Sequence, residues 1–145
     1  MAKTYTVDAS VFLNAFNPYE QGHETSHELL AHLQQRALPI IVPTLLLPEI
    51  AAAISRGRQD EVLAREFALA LSHLPHLIMI PLDETLARQA MDVAAVNRLR
   101  GSDAVYAAVA LRFGTTLVTL DREQQERLAA LISACLPADA LDELE

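Results

Sequence analysis

Four acidic residues of this 145-residue chain stand where hydrolytic chemistry could use them. Asp8 closes the β-prone run from Tyr5 to Val7, and Glu49 sits in the apolar stretch from Leu45 to Ile54. Asp103 opens a helical segment after Arg100-Gly101-Ser102, and Asp121 follows the apolar run from Thr116 to Thr119. Neighbouring carboxylates raise one another's pKa and strain a fold unless a cation relieves them. An all-oxygen set selects a hard ion, Mg²⁺ or Mn²⁺, over zinc. One or two such ions activate water and stabilise in-line attack on a phosphodiester. The pattern therefore points to metal-dependent phosphoryl chemistry, provided the fold gathers acids spread over more than a hundred residues.

The elements that must gather them follow from periodicity. Short apolar runs at Tyr5 to Val7, Pro39 to Val42, Leu77 to Ile80 and Thr116 to Thr119 predict strands, with a weak fifth within Ile132 to Leu136. Helical patterning covers Ser10 to Phe16, Glu24 to Arg36, Thr44 to Ser55 (stopping at Gly57), Asp60 to Leu74, Asp83 to Asn97 and Glu123 to Leu131. Another helix runs to Phe113 with Ser102 as its expected N-cap and Gly114 as its stop. Strands alternating with helices predict a three-layer α/β/α fold around a parallel sheet of four to five short strands. Ligands of such folds bind beyond the carboxyl ends of the strands.

Asp8 and Asp121 follow strands directly and so lie on that edge. The helix opened by Asp103 ends just before the fourth strand begins, which returns Asp103 to the same edge. Glu49 belongs near the start of the helix that leaves the second strand, again on that edge. Each acid alone has a plain structural explanation as a helix cap or first-turn acid. Glu49 is the hardest to dismiss, because a charge in so apolar a stretch requires a partner.

Composition bounds the alternatives. One compact domain is expected over 1–136, followed by a solvated, frayed acidic tail over 137–145. Apolar residues make up 52% and charged residues 21%, enough for a core of small aliphatics since aromatics are only 5%. A net charge of −8 argues against a non-specific nucleic-acid coat, although all basic residues but Lys3 are arginines suited to phosphate contacts. The single cysteine, Cys135, excludes a disulfide framework and a thiolate zinc cluster, and reads as a small buried hydrophobe. The start of the chain lacks a signal-peptide run. The stretch from Ile40 to Ile54 is interrupted by Pro43, Pro48 and Glu49, and is shorter than the ~20 residues of a membrane span. A reduced, cytoplasmic, membrane-free protein is expected.

The motifs Val7-Asp8-Ala9-Ser10, Pro48-Glu49-Ile50, Arg100-Gly101-Ser102-Asp103-Ala104 and Thr119-Leu120-Asp121 together resemble the PIN-domain ribonucleases, in particular the VapC-type toxins of bacterial toxin–antitoxin pairs. The resemblance runs in order from Tyr5 to about Leu131. Each motif alone is weak and the ordered set is specific. It implies a flavodoxin-like three-layer fold and Mg²⁺- or Mn²⁺-dependent endoribonuclease activity. Asp8, Glu49, Asp103 and Asp121 would then be the metal-binding acids, with the hydroxyls of Ser10 and Thr119 orienting the site. Asn14, one turn beyond Ser10, is a lesser candidate. The stretch Arg122-Glu123-Gln124 is more polar than in many relatives, which bears on local packing and leaves the acids in place. The resemblance also implies a homodimer and a small antitoxin whose C-terminal segment lies across the helices and reaches the site with a basic side chain.

Competing readings lack pieces. A non-catalytic RNA- or protein-binding module on the same fold would use the acids only structurally. A phospho-accepting receiver domain needs a lysine late in the chain, and the only lysine is Lys3. A haloacid-dehalogenase-type phosphatase needs a second Asp where Ser10 stands. His23 and His27 have a metal-capable spacing, with no acid or thiolate pattern to complete a zinc site. Arg98 and Arg100 precede Asp103 and have two roles open to them: holding RNA phosphates, or capping the preceding helix.

Overall fold

The computed structural model describes residues 3–145. The chain runs β1 (Tyr5–Val7), α1 (Ala9–Phe16), α2 (His23–Gln35), β2 (Ile40–Pro43), α3 (Leu46–Arg58), α4 (Glu61–Ser72) and β3 (Leu77–Ile80). It continues α5 (Glu84–Asn97), α6 (Gly101–Phe113), β4 (Thr116–Val118), α7 (Arg122–Leu128), β5 (Ala134–Cys135) and α8 (Pro137–Leu144). All strand pairs are parallel, in the order β3-β2-β1-β4-β5. The chain leaves β1 toward β2 and β3, then returns to β1's other side with β4. That reversal opens a crevice between the carboxyl ends of β1 and β4. The register Val7↔Val118 fixes the crevice walls, and the Asp8 N–H donates to the Val118 carbonyl at 3.2 Å.

Alternation along the strands divides the core in two. Tyr5, Val7, Ile40, Val42 and Val118 pack toward α1, α2, α3 and α8. Leu117 and Ile41 pack toward α5, α6 and α7 on the other face. Helix α6 is buried without interruption from Ala104 to Ala110, and its small side chains let it press on the sheet centre. Its first turn is thereby held at the crevice.

Most boundaries shift by one to three residues, and three differences change the reading. Helix α3 passes through Gly57 and ends only at Gln59, whose left-handed backbone (φ 54°) closes it before Asp60 caps α4. Ser102 lies inside α6, and Arg100 holds the N-cap position. The end of the chain is not a frayed tail. Pro137 starts α8, Asp139 accepts the Leu136 N–H at 3.3 Å, and Ala140, Leu141 and Leu144 are buried, packed with α2. Four acids dominate the composition of this segment, yet they leave an apolar face at helical spacing. Glu143 is itself tied down by Lys3 at 2.9 Å and by the Tyr5 hydroxyl at 3.2 Å.

This packing has a direct test. Ala140 is fully buried, so Ala140→Asp is expected to cost about 2 kcal/mol or more in urea unfolding. A tail outside the core would absorb the substitution without change.

Candidate active site at the carboxyl edge

The site begins with Asp8, the first residue after β1 and the N-cap of α1. Its Oδ1 accepts the Val11 N–H at 3.4 Å and the Ser10 hydroxyl at 2.5 Å. Only 7% of Asp8 is exposed. Burial raises its carboxyl to about 6, against the pull of the Ser10 and Thr119 hydroxyls and the Val11 N–H, and the charge of Asp103 pushes it further up. Across the crevice Asp121 caps α7, its Oδ1 accepting from the N–H groups of Glu123 at 3.0 Å and Gln124 at 3.2 Å. The buried Thr119 hydroxyl accepts the Asp121 N–H at 3.2 Å, and the Ser10 hydroxyl accepts the Leu120 N–H at 3.5 Å. The two hydroxyls thus stitch the β1 end to the β4 end.

The first turn of α3 supplies Glu49 and that of α6 supplies Asp103. The partner that Glu49 requires is Tyr106, whose hydroxyl donates to Glu49 Oε1 at 2.7 Å. Burial raises the Glu49 carboxyl and the Tyr106 bond opposes it. Tyr106 itself is raised above the usual phenol range by burial and by Glu49, so it stays a donor. Asp103 meets Arg100, Nε to Oδ2 at 3.1 Å. Asp8, Ser10, Glu49, Asp103, Thr119 and Asp121 all line one cavity of about 420 Å³.

Two further lining residues, Tyr106 and Gln124, were not anticipated. Tyr106 stands three residues after Asp103 and Gln124 three after Asp121, the spacing that puts side chains on one helix face. Asn14, by contrast, turns away. It is fully buried, donates to Glu20 Oε1 and the Gln21 carbonyl, and accepts the Ser26 hydroxyl, so it locks the α1–α2 connection. His23 bonds the Asn14 carbonyl through Nδ1 in the same lock.

The residues present suit a hard divalent cation. Every donor among the acids and hydroxyls is oxygen, and among the described residues Asp8 is buried with no Lys or Arg paired to it and Gln124 Oε1 is buried without a hydrogen-bond partner. Asp8, Glu49, Asp103 and Asp121 are the residues that could hold it. Their oxygens do not form a closed cage. Among the described residues, the one group of three with ligand atoms all within 4.8 Å of one another is Glu28, His32 and Glu145, away from this cavity. An open set suits Mg²⁺, which keeps several of its waters.

Comparison with known proteins bears on the fold and its family. The family model for the PIN domain matches residues 5–131. The chain belongs to the PIN domain family. No curated protein matches the sequence. The fold is similar to that of VapC20, a sarcin–ricin-loop-cleaving toxin of Mycobacterium tuberculosis, with a TM-score of 0.73 at 18% identity over 89% of this chain and 97% of that one. It is similar to PAE2754 of Pyrobaculum aerophilum, with a TM-score of 0.70 at 24% identity over 99% and 98%. It is also similar to VapBC2 of Rickettsia felis, solved bound to a DNA fragment from its promoter, with a TM-score of 0.66 at 15% identity over 92% and 98%. At such identities the likeness is one of fold. Among the described residues of this PIN domain, no helix is long and apolar enough to cross a membrane.

The raised Asp8 carboxyl sets a sign for stability. Below its unfolded value of 3.8 it is protonated in both states and costs nothing. As pH rises toward about 6 the unfolded chain releases the proton first, so folding weakens across that window. The difference amounts to on the order of 2–3 kcal/mol at neutral pH, given Asp8's near-complete burial. In EDTA, Asp8→Asn, which keeps a good N-cap, is expected to unfold at higher urea than wild type at pH 7 and to converge with it near pH 4. Equal midpoints at pH 7 would show that ionised Asp8 carries no such penalty.

Proposed function

We propose that this PIN domain is a Mg²⁺- or Mn²⁺-dependent endoribonuclease, the toxin of a VapBC-type toxin–antitoxin pair. The observation that carries the reading is the convergence of Asp8, Glu49, Asp103 and Asp121 on one cavity beside the Ser10 and Thr119 hydroxyls. A bound divalent cation would supply Lewis-acid activation of water and neutralise charge on the scissile phosphate. The chain's own part is positional. Tyr106 fixes Glu49, Ser10 orients Asp8, and the caps on α1 and α7 hold Asp8 and Asp121 in place before any substrate arrives. The raised Asp8 and Glu49 carboxyls mark a site whose charges await a cation.

The antitoxin partner is supported by a second cavity, of about 460 Å³, between α1, α3 and α4. Leu13, Phe16, Ile54 and Phe67 line it, with Phe16 and Phe67 edge to face at 4.5 Å. Its apolar lining suits an amphipathic segment, and the chain's charge of −8 suits one bearing basic side chains. Helix α2, whose apolar face goes to the core, does not line it. A homodimer is part of the same proposal.

Cleavage of RNA in Mn²⁺ is the test. Asp8→Asn and Asp103→Asn are each expected to lower the rate at least ~100-fold while leaving circular dichroism unchanged. Full activity in purified Asp8→Asn would overturn the mechanism.

A further inference from the structure

Arg100 breaks two local rules at once. It holds the N-cap position of α6, where Ser, Asp or Asn would accept a helix N–H, and its side chain makes no capping bond. It also places a cation at the positive end of a helix dipole. Breaks of local rules are expected at functional places. Nor does Arg100 cap the preceding helix, because α5 is closed by the backbone N–H groups of Arg98 and Leu99, both donating to the Ala94 carbonyl.

What the side chain does instead is meet the acids. Among the described residues its one hydrogen bond runs from Nε to Asp103 Oδ2 at 3.1 Å, which leaves both terminal nitrogens free. The charges of Asp103, Asp121 and Glu49 all act on it. Yet the Arg100 side chain is 79% exposed, so the pair with Asp103 is weak and readily exchanged. Arg100 lines the acid cavity and also an adjoining cleft of about 410 Å³ that contains Arg98 and Arg127. Arg127 donates to the Arg98 carbonyl and to Glu123, pinning the loop that carries both arginines. The same cleft is lined by Asp103, Asp121 and Glu123, so in a chain with 11 basic residues against 19 acidic ones three arginines here match three acids.

We propose that Arg100 is a displaceable counterion, which neutralises Asp103 while no divalent cation is present and turns outward when one binds, to hold a phosphate of the RNA strand in the cleft it shares with Arg98 and Arg127. The inference rests on the nuclease reading above. The planar guanidinium suits both partners, since carboxylate and phosphate take the same bidentate fork. Exchange between them couples cation binding to substrate binding, and such coupling acts in both directions.

The test compares wild type, Arg100→Gln and Arg100→Lys, with folding checked by circular dichroism. Mn²⁺ binding is read by calorimetry. Binding of a fluorescent single-stranded RNA is read by anisotropy, in EDTA and in Ca²⁺, with the RNA's intactness verified on a gel. Arg100→Gln is expected to bind Mn²⁺ up to about fivefold more tightly, because a competing charge is gone. Its RNA affinity should match wild type in EDTA. In Ca²⁺ it should fall several-fold, with the salt slope reduced by about 0.7. Arg100→Lys should recover most of that slope. An RNA affinity equal to wild type in Ca²⁺ would overturn the proposal, as would an equal loss in both buffers, which marks a fixed contact. A wild type that binds and cleaves RNA while Arg100→Gln shows either result leaves the nuclease reading standing. A folded wild type that binds neither Mn²⁺ nor RNA would remove both.

Discussion

A carboxylate buried between two parallel strands is the constraint around which this molecule is built. Asp8 leaves β1 at the point where the chain's reversal opens the sheet, and its neighbour in the register, Thr119, leaves β4. Little of the carboxylate reaches solvent, so protein dipoles or a cation must meet most of its charge. The protein dipoles are few: the Val11 N–H and the Ser10 and Thr119 hydroxyls. They lower the cost of the charge without cancelling it, and the carboxyl remains raised to about 6. The charge of Asp103 makes the deficit larger. A fold selected for stability alone would have placed a neutral residue at position 8.

The structural and functional readings of these acids coincide. Asp8 and Asp121 are both helix N-caps, and both line the cavity. A cap commits one oxygen to backbone N–H groups and thereby fixes the direction of the other. This is preorganisation at small cost, since the helices needed caps in any case. Glu49 is held differently, by the buried Tyr106 hydroxyl, which keeps a charged group ordered at the start of an apolar helix. Because Tyr106 and Asp103 share α6, the burial of that helix from Ala104 to Ala110 positions two of the four acids together.

Much of this was legible in the sequence because the elements are short and sharply bounded. Asp8, Gly114 and Asp121 mark strand and helix ends by type, and the parallel topology then converts order along the chain into position on an edge. The alternating pattern predicted three layers, and the five-stranded parallel sheet agrees. What escaped depends on side-chain contact. Tyr106 reads as core until its hydroxyl is seen at Glu49, and Gln124 reads as surface in a polar helix although it is buried. The sequence leaves Arg100 two roles, and the closure of α5 by the Arg98 and Leu99 N–H groups removes the capping one. The C-terminal segment misled for a different reason. Its acids suggested solvation, whereas Ala140, Leu141 and Leu144 carry the packing.

The central claim is that Asp8 and Asp103 belong to one cation site. Calorimetry of Mn²⁺ binding to wild type, Asp8→Asn, Asp103→Asn and His32→Ala tests it most directly. The account predicts micromolar-to-millimolar binding to wild type, abolished in both aspartate variants and intact in His32→Ala. Binding that survives both aspartate changes and disappears with His32→Ala would place the cation at Glu28, His32 and Glu145 instead. That result, or a folded wild type that takes up no Mn²⁺, would contradict the account.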